Sequence, residues 1–520
     1  MRWPFPLTWL AVMAALLTAI PAGAATLTVG PGKMFAKPCA AVAAASDGDT
    51  IEIDAAGSYD GDVCAIAKSG LTLRGVGGRP RIDAAGSNYG GKGIWVISGN
   101  DTTVENIEFS GATVPDKNGA GIRQEGKNLT VRRCYFHDNE NGILSGGSAG
   151  TEILVEYSEF ANNGFGDGFS HNMYIGHEGR FTLRYSYSHN AKVGHLVKSR
   201  AAENYILYNR LSGEGGTGSY EIDLPNAGTS YVIGNLIQQG AATQNSAVVT
   251  YGLEGAVPEN PGRELFVVNN TFVNDRSAGS TFVSVGGAIT TPVVITNNIF
   301  FGGGTISTQA SAKQITNFTG DPKLVDRAGF DYRLLSGSPC INAGSDPGTG
   351  AGFALVPSKQ YVHPAEAIDR SIEGTIDIGA YEVQTTVADA ATPDAPLVDA
   401  ARPDASLPDV ATPDAPLVDA ARPDASLPDV ATPDASLPDA SLPDVATPDA
   451  SLPDANQPDA ATPNPTGGAS DSSGCSCQTV PRRGLSGAIA ASFALMLTAV
   501  RRRGRAAGKV RSRSEGFHSP

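Results

Sequence analysis

The sequence predicts an all-β fold, a right-handed parallel β-helix in which successive coils stack into a solenoid. The 520 residues include 62 Gly, and only 18% of them are charged, a composition typical of turn-rich β architecture rather than of helical bundles. Short runs alternate apolar and polar side chains between Gly, Asn and Asp, without an extended amphipathic helical pattern. A β-sandwich or propeller is the alternative, but the repeats are single coils rather than four-stranded blades.

An Asn-x-apolar pattern marks the repeats. It begins at Asn209, Asn235, Asn270 and Asn298. Extended upstream through Phe109, Phe136, Phe160 and Ser188, the frame has successive gaps of 27, 24, 28, 23, 26, 35 and 28 residues. Strands that cannot bury one face alone bury it by stacking coil on coil, and turn Asn side chains can hydrogen-bond between coils. We therefore expect a β-helix domain over residues 25–385, with roughly ten coils.

Both ends of this domain carry segments suited to closing a solenoid. Residues 39–54 predict a short helix followed by the first strand, and the segment from Asp377 to Glu382 (DIGAYE) resembles the closing segment of secreted β-helix proteins. Cys39 and Cys64 are 25 residues apart, about one coil, so a disulfide across the N-terminal cap is one interpretation. Buried free thiols are the other, especially for Cys134.

The N-terminus is typical of an export signal. Residues 1–24 contain Arg2, an apolar run from Leu7 to Ile20 and a small-residue end, which is the order of a secretory signal peptide. A retained membrane anchor is the alternative, although the run is short for a span. The domain that follows is expected to fold outside the cytoplasm, where disulfides form.

The composition changes abruptly after the β-helix. Residues 391–410 (ATPDAPLVDAARPDASLPDV) recur identically at 411–430, within a Pro- and Asp-rich segment at 386–472. Frequent Pro and like-charged Asp favour an extended polyproline-II spacer, in preference to a loose Ca²⁺-binding segment. Much of the formal net charge of −15 lies here, so it does not exclude an anionic ligand.

Residues 473–505 combine three features of an anchor. Cys475 and Cys477 precede an apolar run at 484–500, and an Arg cluster at 501–505 follows it. This segment resembles the myxobacterial C-terminal sorting tag, which implies processing near the Cys residues and display at the cell surface. A plain tail anchor is the alternative, and residues 506–520 form a basic tail. We thus expect an exported protein held at the cell surface or outer membrane.

Chemistry is expected where successive rungs present polar side chains on one sheet. Aligning the strands GIRQEG, HNMYIG, GHLVKSR, SYEIDLP and AVVTYG places one apolar residue of each in the core. Strand alternation then turns their neighbours outward, namely Arg123, Asn172, Tyr174, Lys198, Glu221, Asp223 and Thr250. Arg200 can share this face. A spacing of about 5 Å between stacked strands puts Lys198 next to Tyr174 and Asp223.

These side chains suit eliminative cleavage of a uronate polysaccharide, which needs a neutralised carboxylate, a base and an acid. Lys198 is the candidate base, with Arg200 and Arg123 beside it, and Tyr174 or a histidine is the candidate acid. Glu221 and Asp223 are candidate Ca²⁺ ligands. The candidate substrate contacts are Asn172, His171, His195 and Glu254.

The histidines have an alternative, structural interpretation. His171 and His195 are 24 residues apart, and the parity that turns Lys198 outward turns them inward or into a bend. A stacked pair bound to turn backbone is the interpretation we favour. The sequence lacks a spaced His/Cys cluster and a Gly-rich phosphate loop, so it does not indicate a zinc site or nucleotide binding.

Residues 194–240 resemble the catalytic region of polysaccharide lyase family 6, the alginate lyase and chondroitinase B group. The matching positions are Lys198-Ser199, Asn204, Asn209 and Gly234-Asn235. The resemblance implies that Lys198 is the Brønsted base. The family's acid, an Arg, would fall near Glu221 to Asp223, where this chain has carboxylates instead.

Three functions are consistent with these residues. The first is a surface lyase acting on an anionic polysaccharide, with Arg200 or Arg123 in place of the missing Arg. The second is a C5-epimerase. The third is a non-catalytic glycan binder or adhesin, which the long spacer would hold away from the cell. We expect a monomer that does not bind nucleic acid.

Overall fold

The computed structural model describes residues 23–384, and these form a parallel β-helix with three sheets. Each full coil passes through sheet 1, sheet 2 and sheet 3 in turn, and the strands are numbered in chain order. The all-β prediction is confirmed. The one α-helix in this part of the chain is α1 (Pro38–Ala44).

Sheet 1 contains ten parallel strands, in agreement with the predicted number of coils. They are β3 (Cys64–Ile66), β6 (Gly93–Ile97), β9 (Ala120–Gln124), β12 (Asn141–Ser145), β15 (Met173–Ile175), β18 (Val197–Ser199), β21 (Ile222–Leu224), β24 (Ala247–Tyr251), β27 (Ser280–Val285) and β30 (Gly304–Ser307).

Sheet 2 contains twelve strands. They are β1 (Thr26–Val29), β2 (Thr50–Asp54), β4 (Thr72–Val76), β7 (Thr102–Glu105), β10 (Leu129–Arg132), β13 (Glu152–Glu156), β16 (Arg180–Arg184), β19 (Glu203–Leu207), β22 (Thr229–Ile233), β25 (Leu265–Val268), β28 (Val294–Thr296) and β31 (Lys313–Ile315).

Sheet 3 contains nine strands. They are β5 (Arg81–Asp83), β8 (Glu108–Ser110), β11 (Tyr135–His137), β14 (Glu159–Ala161), β17 (Tyr187–His189), β20 (Arg210–Ser212), β23 (Leu236–Gln239), β26 (Thr271–Asn274) and β29 (Ile299–Phe301). Three short antiparallel pairs follow in the C-terminal segment: β32 (Leu324–Asp326) with β33 (Asp331–Leu334), β34 (Thr349–Gly350) with β35 (Phe353–Ala354), and β36 (Lys359–Val362) with β37 (Glu366–Asp369).

The core follows the repeat frame read from the sequence. Phe109, Phe136 and Phe160 occupy equivalent positions in neighbouring strands of sheet 3, and all three are fully buried. Their rings stack with centroids 5.0 and 4.8 Å apart. The same register continues through Ser188 and Leu211, so the predicted period is confirmed.

A column of buried Asn side chains crosses the turn between sheets 2 and 3. Asn235 Nδ2 donates to Asn270 Oδ1 at 2.9 Å, and Asn235 Oδ1 accepts from the backbone N–H of Asn209 at 2.9 Å. Asn270 Nδ2 donates in the same way to Asn298 Oδ1. The expected rung-to-rung hydrogen bonding is therefore present, and it satisfies turn backbone that burial removes from water.

The N-terminal cap differs from the expectation in one respect. The helix α1 is present, but β1 precedes it and pairs with β2, so the segment after α1 is the second strand. The alternation of Thr26–Val29 is too short to separate from the apolar run before it. Cys39 of α1 and Cys64 of β3 form a disulfide with Cα atoms 5.8 Å apart, and Cys134 is a buried free thiol.

The C-terminal segment packs against the outer side of sheet 3. Its buried Leu324, Tyr332 and Ile378 share one apolar cluster with Leu236 and Ile299 of the coils. Arg370 and Glu382 form a buried ion pair at 2.9 Å within this segment. The predicted closing segment thus covers part of the solenoid side.

The predicted signal peptide, spacer and anchor lie outside the described residues, apart from Gly23 and Ala24 of the signal peptide. Over residues 23–384 no helix is long and apolar enough to cross a membrane.

Candidate functional site

A column of polar side chains runs across four adjacent strands of sheet 1. Tyr174 of β15 pairs in register with Lys198 of β18, which pairs with Asp223 of β21, and Asp223 pairs with Thr250 of β24. This is the register that the strand alternation predicts. With Arg200 and Glu254, which lie at the ends of strands in this region, these residues make up the Lys198 cluster (Tyr174, Lys198, Arg200, Asp223, Thr250 and Glu254).

Lys198 lies at the centre of the cluster. Its Nζ is 3.3 Å from Asp223 Oδ2 and 3.7 Å from Glu254 Oε1, and it lies 5.4 Å from the centre of the Tyr174 ring. Only 13% of the Lys198 side chain and 5% of the Asp223 side chain are exposed. Thr250 Oγ1 donates to Asp223 Oδ1 at 2.6 Å. The amine therefore has an almost fully desolvated carboxylate as its direct neighbour.

Arg200 connects Tyr174 to Glu254. Its Nε donates to the Tyr174 hydroxyl at 2.9 Å, and its Nη1 and Nη2 donate to the two Glu254 oxygens at 2.7 and 3.1 Å. Burial acts to lower the pKa of Arg200, but the bonds to Glu254 and Tyr174 outweigh it and raise that pKa. Arg200 is thus a permanent cation with a fixed orientation.

Glu254 is held as a charged carboxylate. Burial alone would raise the pKa of Glu254, but hydrogen bonds from Arg200 and the charges of Arg200 and Lys198 lower it overall. Its side chain is 48% exposed, far more than those of the cations it contacts. Glu254 is therefore the ionised, accessible end of the cluster.

His171 and His195 stack behind the cluster. Their ring centroids are 4.5 Å apart, and Tyr220 stacks on His195 at 4.9 Å. His195 Nδ1 accepts from the Tyr220 backbone N–H at 3.1 Å, which leaves the ring proton of neutral His195 on Nε2, 3.5 Å from Asp223 Oδ2. Burial lowers the pKa of His195 to about 4 and that of His171 well below its usual range. Both rings are buried and neutral, which matches the structural interpretation.

Two residues expected to point outward point inward instead. Asn172 is fully buried and donates to Ser188 Oγ and to the His189 carbonyl, and Glu221 is 2% exposed. Each directly precedes the first residue of its sheet 1 strand, Met173 or Ile222, which is buried too. The chain bends at this corner, so strict alternation begins one residue later. Asn172 and Glu221 therefore do not line the outer face.

The burial of Glu221 gives a testable pH dependence. Desolvation raises the pKa of Glu221 well above its usual value, and its Oε2 lacks a hydrogen-bond partner. Since the folded-state pKa exceeds the unfolded one, its contribution to stability is complete below about pH 4.5 and is lost as the pH rises. We expect Glu221→Gln to raise the free energy of unfolding at pH 7 by on the order of 2 kcal/mol, with the gain vanishing near pH 4.5.

Denaturant unfolding at both pH values measures this difference. Glu259→Gln, at an exposed position, is the control for loss of a carboxylate. A gain that does not depend on pH would contradict a protonated Glu221 in the folded protein.

Arg123 lies three rungs from Lys198. In register it pairs with Leu144 of β12, and Leu144 pairs with Tyr174, so the expectation that Arg123 lies beside Lys198 is wrong. The sequence alignment omitted the coil that carries β12. Arg123 Nε instead lies 3.7 Å from Glu125 Oε1.

The carboxylates do not fit the expected Ca²⁺ site. Glu221 faces the interior, while Asp223 and Glu254 are each matched by a cation, Lys198 or Arg200. Ca²⁺ requires six to eight oxygen ligands. Over residues 23–384, three or more His, Cys, Asp or Glu side chains do not converge on a metal-binding position. We therefore assign no chemical step to Ca²⁺.

Sequence reasoning missed the amides that position Arg200. Asn226 Oδ1 accepts from Arg200 Nη1, and Asn260 Nδ2 donates to the carbonyls of Arg200 and Asn226 at 3.2 Å each. Asn260 and Glu254 belong to the long turn between β24 and β25. The 35-residue gap in the repeat frame is the signal that locates this insertion.

A separate cleft of about 960 Å³ lies between sheet 3 and the C-terminal segment. Arg210 in its lining lies between the rings of Tyr187 and Phe330, 4.8 and 4.9 Å from their centres, and pairs with Glu214 at 2.8 Å. Burial opposes ionisation of Glu214, but contacts with His189, Tyr187 and Arg210 lower its pKa to about 2. This cation is already neutralised, so we place the candidate chemistry at the Lys198 cluster, which does not line this cleft.

Comparison with known proteins concerns the fold. Pectate lyase Pel9A aligns with a TM-score of 0.45 at 16% identity, over 70% of this chain and 98% of that chain. The PL6 family alginate lyase AlyGC aligns with a TM-score of 0.26 at 13% identity, over 69% of this chain and 57% of that chain. ORF18 of Geobacillus virus E2 gives 0.33 at 14% identity, over 54% and 56%.

No curated protein sequence matches this chain. Residues 81–237 match the family model described as a right handed beta helix region, so the coils that carry Tyr174, Lys198 and Asp223 belong to a right-handed β-helix.

Proposed function

We propose that the Lys198 cluster is the active site of a polysaccharide lyase that cleaves uronate-containing chains by β-elimination. The observation that carries this proposal is the juxtaposition of an amine and a hydroxyl on neighbouring rungs. Lys198 Nζ lies against the Tyr174 ring, while the Tyr174 oxygen is bound to Arg200. A base, an acid and a fixed cation thus lie on one face of sheet 1.

Lys198 is the base in this proposal. As an ammonium it cannot accept a proton, but Asp223 Oδ2 lies 3.3 Å away with its side chain almost completely buried. When a polymer covers the site and excludes water, transfer of the ammonium proton to Asp223 replaces two buried charges by two neutral groups, which a low-dielectric site favours. The neutral amine then removes the C5 proton of the uronate.

Tyr174 is the acid. Its oxygen accepts a hydrogen bond from Arg200, so its own O–H proton is left to donate to a ligand. As the C5–H bond breaks, its electron pair forms the C4–C5 double bond and the C4–O4 bond breaks. Tyr174 delivers its proton to O4, and Arg200 supplies the positive charge that offsets the phenolate.

The pair Asp223 and Glu254 does not favour hydrolysis instead. A glycosidase needs one of its two carboxyl groups protonated as the acid. The pKa of Glu254 is lowered, and Asp223 accepts from Thr250 and contacts Lys198. Neither group is placed to hold a proton for a leaving oxygen before substrate arrives.

Glycan binding without turnover is the second candidate. It is favoured by the match of each cation to a carboxylate, Lys198 with Asp223 and Arg200 with Glu254, which describes a stable recognition surface equally well. A C5-epimerase would share the first proton removal and return a proton to C5. We also propose that the protein is exported and displayed at the cell surface through residues 473–505, on the basis of its sequence.

Incubation of the purified protein with polygalacturonate, alginate and chondroitin tests the proposal. We expect at least one polymer to give a rise in the ultraviolet absorbance of unsaturated uronates, and EDTA to leave the rate within about twofold, given the unsuitable Ca²⁺ ligands. Binding without absorbance change or hydrogen exchange at C5 would favour the second candidate. Exchange at C5 without cleavage would indicate the epimerase.

A further inference from the structure

Glu254 occupies the position that a ligand carboxylate would take. Its two oxygens meet the guanidinium of Arg200 end-on, at 2.7 and 3.1 Å, in the bidentate geometry by which Arg recognises carboxylates. One of the same oxygens lies 3.7 Å from Lys198 Nζ. A uronate that approached these two cations would need the same donors.

The backbone around Glu254 is fixed, whereas its side chain is accessible. The Glu254 N–H donates to the Pro225 carbonyl at 3.0 Å, and the Gly255 N–H closes a turn to Gly252 at 3.1 Å. Asn260 ties the same turn to the carbonyls of Arg200 and Asn226. The Glu254 side chain is 48% exposed, against 13% for Lys198 and 17% for Arg200. Rotation of this one side chain therefore opens the site without loop movement.

We propose that Glu254 is an internal carboxylate that competes with the substrate for Arg200 and Lys198, and so makes the site selective for anionic sugars. This inference rests on the proposed function. Exchange of Glu254 for a uronate replaces one carboxylate by another and leaves the charge around both cations unchanged. A neutral sugar that displaced Glu254 would leave Arg200 without its partner, which costs far more in a partly desolvated site.

The test is a gain of affinity, which a damaged fold cannot produce. Binding of galacturonate and mannuronate tetrasaccharides is measured by calorimetry for the wild type and for Glu254→Gln. We expect the variant to bind the recognised tetrasaccharide on the order of tenfold more tightly, because removing a competing state raises the binding-competent fraction. A neutral glucose tetrasaccharide should gain relatively more, so that the preference for the uronate falls.

Glu259→Gln is the matched control. It removes the same charge from the same turn, but Glu259 is not among the groups that contact Lys198 or Arg200. Its affinity should remain within about twofold of wild type, which separates direct competition from long-range electrostatics. Should Glu254→Gln fold poorly, Glu254→Asp keeps the charge but shortens the stem by one methylene, and it too is expected to bind more tightly.

The possible results distinguish this inference from the proposed function. Wild-type binding that weakens in Glu254→Gln would make Glu254 a substrate contact and overturn the competition. An affinity equal to that of the Glu259→Gln control would overturn it as well. If none of the forms binds any uronate, the proposed function is overturned, and this inference with it.

Discussion

Replacing Lys198 by Ala is expected to lower the turnover of the recognised polyuronate by about 10³-fold, the usual contribution of a general base. Lys198 lies between Tyr174 and Asp223 on the outer face of sheet 1, so it has neighbours on both sides from which to exchange protons. Binding of the polymer should weaken much less than turnover, since Arg200 remains. Initial rates of absorbance increase, with affinity from calorimetry, measure the two effects separately.

Lys198→Arg separates the role of base from that of a simple cation. Arginine keeps the charge but does not lose its proton in proteins. If Lys198 only neutralised the substrate carboxylate, the Arg variant would retain much of the activity. We expect it to be as inactive as the Ala variant, while Lys192→Ala, which removes an exposed lysine paired with Asp138, should behave as wild type.

Replacing Asn235 by Ala is expected to lower the free energy of unfolding by about 3 to 5 kcal/mol, because several buried groups lose their partners. Asn235 Nδ2 donates to the Ile206 carbonyl and to Asn270 Oδ1, and Asn235 Oδ1 accepts from the backbone and side chain of Asn209. All of these groups are buried. Denaturant unfolding followed by circular dichroism measures the loss.

Asn88→Ala is the control for this substitution. Asn88 Oδ1 accepts one exposed hydrogen bond, from the Gly91 N–H at 3.0 Å, so its loss should cost less than about 1 kcal/mol. Equal effects at Asn88 and Asn235 would show that the turn ladder adds little to stability.

The repeat frame could be predicted because every coil places equivalent residues in contact. Phe136 stacks between Phe109 and Phe160, so the same spacing must recur for the core to fill. The pairing of Lys198 with Tyr174 and Asp223 followed from that frame and from strand alternation. Local periodicity was enough for both.

The remaining parts of the site depend on features without a period. Glu221 lies at a corner, where the chain bends and alternation has not yet begun. Arg123 is separated from the cluster by the coil of Leu144, whose apolar side chain hid that rung from an alignment of polar positions. The contacts of Asn260 with the Arg200 backbone come from a long turn, and turn conformation is set by tertiary hydrogen bonds rather than by sequence spacing.

The stacking of coils has an evolutionary consequence for the Lys198 cluster. Tyr174, Lys198 and Asp223 come from successive coils, one residue from each, and each coil packs chiefly on its two neighbours. Duplication of a whole coil could lengthen the polar face by one rung while preserving the phase of every other strand. The turn that carries Glu254 could change length independently, since it lies outside the sheets. Selectivity and groove length can therefore diverge by separate genetic events.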